Sequence, residues 1–584
     1  MRYLRMLTNA VAGGVLGAAY LAVLVLQLNP QVPMGSITTV RWFGTLVMFY
    51  GLYLSVAIYV LLLARELLAL RALSPGWLSV RLLAWVGAAE AACASWITWA
   101  NLQGFRAMLS DTAAERLRQG AIAMTVFAAV LLTVAILRYS FGRRGTRAAA
   151  LLLLVSTVLS VAMPLWLRGP GDVLVVTPRG PSRLPPSPSV KPSQTAGHVQ
   201  LVLLEGAAMR FIRQRVAAGQ LPNFGNLLDR GAVIDLATLK PTQAETVWTA
   251  AATGKYPPKN GVRSGIRRIQ ADDVNPVDLL PDYCFAHGLV LQSFVTEEDY
   301  TSASLRARPM WDILGDWGLA SGVLNWPVSQ PAQITFGYLV SDQFDEGQSH
   351  PLRLAQAGWP TTAMAIAREA FDDWQARSWH DVLSPASPAE VEPAGVERVR
   401  WDRAYHAAAL ELDREFPTHM TAVRYEGLDV FGHSALRDAE PELFGQIGRV
   451  DPQRSLLGRY YSELDLEIGR MMSDLAPGDL LLVVSGFGMD REAVIKQLVA
   501  RARGEPQRPG SHDDAPDGFL VAFGTHVAPN QSLPRGAIVD IAPTVLYYLG
   551  VPVGRDMDGF ARSDLFRRSY TVEHPIAYIA THER

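Results

Sequence analysis

Asp429 and His433 stand four residues apart in YEGLDVFGH, a spacing that puts a carboxylate and an imidazole on one face of a helix, where they could share a cation or pass a proton. His512 follows Gly510 and Ser511 and precedes two acids, and Glu205 comes directly after the apolar run VQLVLL. Thr242 and Glu245 have the spacing of a capping box, in which a hydroxyl and a carboxylate satisfy backbone N–H groups at a helix start. Thr246 follows at once. Taken singly, each has an ordinary structural explanation: a solvated helix face, a surface histidine, a helix cap. What they can do depends on the elements that carry them.

The chain has 584 residues, of which 49% are hydrophobic and 18% charged, too apolar for a disordered chain and high for a soluble enzyme. Through Leu167 there are thirteen Arg, no Lys and four acids, a surplus of nine positive charges. The remainder therefore carries a net −11. An acidic C-terminal region argues against a nucleic-acid partner, which needs clustered Lys and Arg. Cys93 and Cys284 are too few for a disulfide framework or a Cys-rich zinc site.

Five apolar stretches near bilayer-spanning length run at about Asn9 to Leu28, Trp42 to Leu63, Leu82 to Trp99, Ala121 to Leu137 and Ala148 to Leu167. Arg2, Arg5, Arg65, Arg71, Arg81, Arg138, Arg143, Arg144 and Arg147 fall on one side of these spans. By the positive-inside rule that side is cytoplasmic, which places the N-terminus in the cytoplasm of a plasma (inner) membrane and everything after the fifth span in the periplasm or outside the cell. Glu90 sits in mid-span, where a carboxyl facing a neighbouring helix or a water pocket is expected. From 168 to 197 the chain is Pro-rich and reads as an extended spacer.

From residue 198 to 584, short continuous apolar runs (VQLVLL, SGVLNWP, YLVSD, MTAVRYEG, DLLLVVSG, GFLVAFG) alternate with helical segments. Buried parallel strands read this way, so the fold class expected is α/β with a mostly parallel sheet flanked by helices, preceded by a five-helix transmembrane domain. A helical insertion over about 351 to 417 is expected to shape the mouth of the site. Its His406, and His419 just beyond it, read as ordinary residues rather than ligands.

In this outer region the sequence resembles the alkaline phosphatase superfamily, in its type I phosphodiesterase and nucleotide pyrophosphatase branch. The residues that carry the resemblance, in family order, are LPNF after the first strand, VWTAAATGKYPPKNGV, LVSDQF, Asp429 with His433 in YEGLDVFGH, GSHDDAPDGFLVAFG, and VDIAPTVLYYLGVPVGRDMDG. The five-span layout is similar to that of lipoteichoic-acid synthases and phosphoethanolamine transferases. The resemblance implies two metal ions that clamp a phosphoryl group, with a Thr or Ser nucleophile at a helix start.

Carried over residue by residue, Asp429, His433 and His512 make one complete metal site, two imidazoles and a carboxylate, which suits one zinc or other divalent ion with an open coordination position. The second site departs from the pattern. Glu205 replaces the expected Asp, one methylene longer and still a possible metal ligand, and Gly486 and Phe487 replace an Asp-His pair. Ala244 stands at the nucleophile position, and Thr242, Thr246 and Glu245 are the only nearby substitutes. Asp490 could serve as a ligand only if its loop folds back. The resulting expectation is a membrane-anchored family member that is catalytically impaired or non-classical. The alternatives are an active hydrolase in which metal-activated water attacks a phosphoester, with Glu205 or Glu245 as base, and a headgroup phosphotransferase. The partners expected are the lipid bilayer and a phosphoester, lipid or glycan ligand. The sequence identifies no protein partner.

Overall fold

The computed structural model describes residues 1–68, 76–140, 147–170, 197–270, 276–281, 284, 286–344, 354–378, 393–445, 455–503, 508–513 and 515–583. The described chain divides into two compact units. One holds the N-terminal helices together with Ile266–Asp299, and the other holds the described residues from Gly197 to Gly265 and from Tyr300 onward. Most of the Pro-rich spacer, 171–196, lies outside the described residues.

In the first unit, five helices are long and apolar enough to cross a membrane: α1 (Arg2–Leu28), α2 (Ile37–Leu68), α3 (Val80–Gly104), α4 (Asp111–Val134, its apolar stretch continuing to Leu137) and α5 (Arg147–Leu167). Small residues let α1 approach its neighbours: a Cβ on Gly14 would lie 2.3 Å from Ser55 Oγ, and one on Gly17 2.9 Å from Glu90 Oε1. Glu90 therefore faces α1, as expected of a mid-span carboxyl, and its Oε2 is buried without a hydrogen-bond partner among the described residues.

Within the stretch from 198 to 584, Ile266–Asp299 groups with the N-terminal helices rather than with the sheet unit. There β3 (Ile266–Ile269) and β4 (Thr296–Asp299) pair antiparallel. Val277, Cys284, Leu289 and Val295 form a common core with Val25, Trp42, Phe49 and Tyr50. A polar latch accompanies this packing. Asn29, at the end of α1, accepts from the N–H groups of Asp278 and Leu279 through Oδ1, both at 3.0 Å, and donates to the Leu279 carbonyl at 2.7 Å. The Tyr50 hydroxyl donates to the Cys284 carbonyl at 2.7 Å.

The second unit is built on one sheet. Its strands are β1 (Val199–Leu204), β2 (Ala232–Ala237), β5 (Ser321–Trp326), β6 (Gly337–Ser341), β7 (Gly358–Trp359), β8 (Met420–Tyr425), β9 (Leu480–Phe487), β12 (Asp517–Gly524), β13 (Gln531–Ser532) and β14 (Gly536–Ala537), in the order β13-β2-β12-β9-β1-β8-β5-β6-β7 with β14 also on β2. The central run β9, β1, β8, β5 and β6 is parallel, whereas β12 is antiparallel to both β9 and β2. β1 lies between β8 and β9, and every residue of it except Gln200 is buried, which is why it reads as an unbroken apolar run.

The region expected to be a helical insertion contributes two helices that pack on this core. Helices Thr361–Ala376 and Pro393–Glu415 bury Ala363, Ala367, Phe371, Tyr405, Ala408 and Leu412 with the sheet. Apolar residues at helical spacing commit one face of each helix to the interior. Residues 351–353 and 379–392 lie outside the described residues.

Candidate metal centre

Loops at the carboxyl ends of parallel strands are where open α/β sheets collect ligand-binding groups. Glu205 follows β1 directly, and a helix spanning Gly427–Ala439 follows β8 and carries Asp429 in its first turn. The chain turns at Gly206 with φ +76°, and a Cβ there would lie 2.8 Å from Asp429 Cα. Only glycine combines that backbone conformation with such a close approach. The start of the Asp429 helix is held by Asp402, whose two carboxylate oxygens accept from the N–H groups of Glu426 at 2.9 Å and Gly427 at 2.8 Å. The Tyr460 hydroxyl donates to the same carboxylate at 2.5 Å. Burial pushes the Asp402 carboxyl up to about 6, against the pull of these donors.

Asp429, His433 and His512 come together, their ligand atoms all lying within 4.8 Å of one another. Each imidazole is fixed from behind: His433 Nδ1 is 2.9 Å from the Gly510 carbonyl and His512 Nδ1 is 3.1 Å from the Thr242 carbonyl. A carbonyl only accepts, so each Nδ1 carries a proton, and the two Nε2 atoms are left as the nitrogens that can act as ligands. Those Nε2 atoms lie 3.5 Å (His433) and 4.0 Å (His512) from the Asp429 carboxylate, whose Oδ1 is buried without a hydrogen-bond partner among the described residues. One carboxylate oxygen and two imidazole nitrogens converging in this way could hold a divalent cation, and such a donor set is one that zinc accepts.

The other residues singled out in the sequence fall around this centre with different partners. Helix α8 (Ala244–Thr253) begins where expected and ends at Gly254 in the left-handed conformation. The capping box does not form, because Gln243 takes the cap position. Thr242 turns its hydroxyl to the Leu239 carbonyl at 2.9 Å, and Glu245 falls in the first helical turn. Thr246 donates back to the Gln243 carbonyl at 2.8 Å. Both threonine hydroxyls are thus turned onto local backbone, and the link from this helix start to the metal centre is the Thr242 carbonyl on His512. Asp490 lies in the two-residue strand β10 (Asp490–Arg491), paired with β11 (Gly510–Ser511), and its Oδ1 accepts from the Arg491 N–H at 2.7 Å. It is not one of the converging ligands.

Glu205 is almost fully buried, and its Oε2 accepts from Trp248 Nε1 at 2.8 Å and from Arg424 Nε at 2.6 Å. Burial pushes the Glu205 carboxyl up, and the Arg424 guanidinium opposes it. Arg424 was not singled out in the sequence; the signal that could have found it is a lone charge in the apolar strand MTAVRY. Its Nη2 lies 2.6 Å from Glu426 Oε1, and its Nη1 donates to the Asn325 carbonyl at 3.1 Å. Beside this group, a Cβ on Gly486 would lie 2.5 Å from Val247 Cγ1. The Phe487 ring is fully buried, with its centroid 5.0 Å from that of His512.

A family model, type I phosphodiesterase / nucleotide pyrophosphatase, matches residues 199–503. That span is more than half of the chain, and the protein belongs to this family. Comparison with curated proteins returns no match. Among solved structures it is similar to murine ectonucleotide pyrophosphatase / phosphodiesterase 5, at 12% identity and a TM-score of 0.39, covering 63% of this chain and 100% of that one. An inactive variant of the murine protein in complex with AMP gives the same identity and TM-score over 64% and 100%. The human counterpart gives 12% and 0.39 over 63% and 99%.

Proposed function

We propose that this is a membrane-anchored family member whose sheet unit holds one divalent metal ion, zinc by the nature of its donors, on Asp429, His433 and His512, and through that ion binds a phosphoester group. In this reading the five helices span the plasma membrane with the N-terminus in the cytoplasm and the sheet unit on the periplasmic or extracellular side, and the phosphoester belongs to a lipid or glycan found there.

The observation that carries the reading is the pair of backbone-anchored imidazoles aimed at an orphaned carboxylate oxygen. An ion bound there supplies Lewis acidity toward a phosphoryl oxygen. What the chain supplies around it is positioning: Gly510 and Thr242 orient the histidines, Asp402 holds the start of the Asp429 helix, and Phe487 packs on His512. Ala244 has no attacking atom, and the Thr242 and Thr246 hydroxyls are engaged with backbone carbonyls. The helix start thus offers no hydroxyl free of a backbone partner among the described residues, which supports binding without a covalent intermediate as the function proposed.

The test is metal content and turnover of a chromogenic phosphodiester by the full-length protein in detergent, compared with Asp429→Ala and His512→Ala. One metal per chain in the wild type, lost in both variants, with no turnover above that of the variants, is expected. Two metals per chain with turnover abolished by Asp429→Ala would overturn the proposal in favour of a working hydrolase.

A further inference from the structure

The resemblance asks for a second metal ion beside the first, held by Glu205 and by residues at 486 and 487, and the groups present do not fit one. Glu205 Oε2 already takes two donors, Trp248 Nε1 and Arg424 Nε. Gly486 has no donor atom, and even a methyl group there would meet Val247 of α8. Phe487 fills its position with a buried ring. A cation is nevertheless present in this space.

We propose that the Arg424 guanidinium is the resident cation of the second position, so that the protein holds a single metal ion by construction and Glu205 is the partner of Arg424 rather than a ligand. This deepens the single-metal reading above. Arg424 reaches the position from the middle of the sheet, since its neighbour in register on β1 is Leu203 and Glu205 lies two residues further along. Its planar fork spreads one charge over both carboxylates, Glu205 through Nε and Glu426 through Nη2, while Nη1 is spent on the Asn325 carbonyl. Glu426 has a further cation in Arg398, at 3.0 Å. With both partners of the Arg424–Glu205 pair almost fully buried, a divalent ion added beside the guanidinium would meet a like charge in a poorly screened interior. The permanent charge of arginine also makes the substitution independent of metal supply and of pH.

The experiment combines metal content and thermal unfolding of the full-length protein in detergent for wild type, Glu205→Gln, Arg424→Met and the double variant. Wild type and Glu205→Gln are each expected to carry one metal per chain, because Gln keeps the acceptor for Trp248 and Arg424 while giving up the carboxylate a metal would need. Arg424→Met, which strands a buried carboxylate, is expected to melt on the order of 5–10 °C lower. The double variant is expected to recover at least half of that loss.

Two metals in the wild type falling to one in Glu205→Gln would overturn the proposal, as would a double variant whose loss is the sum of the single losses. If Arg424→Met does not fold, the metal count of Glu205→Gln decides alone. If the wild type carries no metal, the single-metal reading of the Asp429 site fails, and recovery or additivity in the double variant still decides the role of Arg424.

Discussion

Arg424 Nε and Glu205 Oε2 meet at 2.6 Å between adjacent parallel strands, with both side chains almost entirely removed from solvent. Glu205 is followed directly by Gly206, so close to Asp429 that a Cβ on it would lie 2.8 Å from Asp429 Cα. A covalently attached positive charge and a cluster that could hold a metal cation thus lie side by side at the end of β1. The pair is costly to bury and more costly to break.

Chelation is expected to destabilise the sheet unit. If the metal is bound at about a hundredfold over its dissociation constant, it contributes roughly 2.7 kcal/mol. A metal chelator should lower the melting temperature of the wild type and leave His433→Gln unaffected, and added zinc should reverse the loss only in the wild type. Thermal melts with and without chelator check this, and equal shifts in both proteins would place the metal elsewhere.

Gly486→Ala is expected to be destabilising, because its methyl group would sit 2.5 Å from Val247 Cγ1. Overpacking of this kind costs about 1–3 kcal/mol. Val247→Ala in the same chain should return part of that loss by opening the space, so the double variant should be more stable than Gly486→Ala alone. Unfolding of the three proteins measures the coupling, and simple additivity would mean that α8 is not seated on β9 at this point.

Asp402 gives a pH prediction with a definite sign. Its folded carboxyl is raised to about 6 from about 3.9 in the unfolded chain. The folded state therefore holds the proton more tightly, and its contribution to stability is complete below about pH 4 and lost as pH rises through about 6. The shift corresponds to stability on the order of 2–3 kcal/mol. The melting temperature of wild type relative to Asp402→Asn should fall between pH 4.5 and 7, and a difference that grew over this range would contradict the raised value.

Asn29→Leu should release Ile266–Asp299 from the helical unit. The substitution removes the acceptor for two backbone N–H groups and the donor to the Leu279 carbonyl, and leaving such groups unsatisfied costs about 1–3 kcal/mol each. Limited proteolysis of the full-length protein should cut this segment faster in the variant than in the wild type. Unchanged cleavage would mean that the apolar contacts of Phe49 and Trp42 hold it unaided.

The strands were legible because a strand buried on both faces carries no polar alternation, as in LLLVVSGF, where all eight residues are buried. The Asp429, His433 and His512 set was legible through ordered motifs. Each of these motifs alone would have been dismissed. Thr242 and Glu245 show the limit of local spacing: a capping box is one option for a threonine hydroxyl, and the Leu239 carbonyl offered another. Arg424 and Asn29 escaped notice for a different reason. The value of each lies in partners far away in sequence, Glu205 for one and Asp278 and Leu279 for the other, and neither leaves a periodic trace. The docking of Ile266–Asp299 escaped for the same reason, since its apolar residues are irregularly spaced and interrupted by acids.

That docked segment bears on how the protein is made. Synthesis delivers the five helices first, then β1, β2 and α8, and then the stretch that returns to the helices, before β5, β8, β9 and β12 exist. Once Asn29 has seized Asp278 and Leu279, the intervening piece carrying β1 and α8 is a loop fastened at both ends. A fragment begun at residue 198 would therefore leave Val277, Cys284, Leu289 and Val295 without Val25, Trp42, Phe49 and Tyr50, the helical residues they pack against.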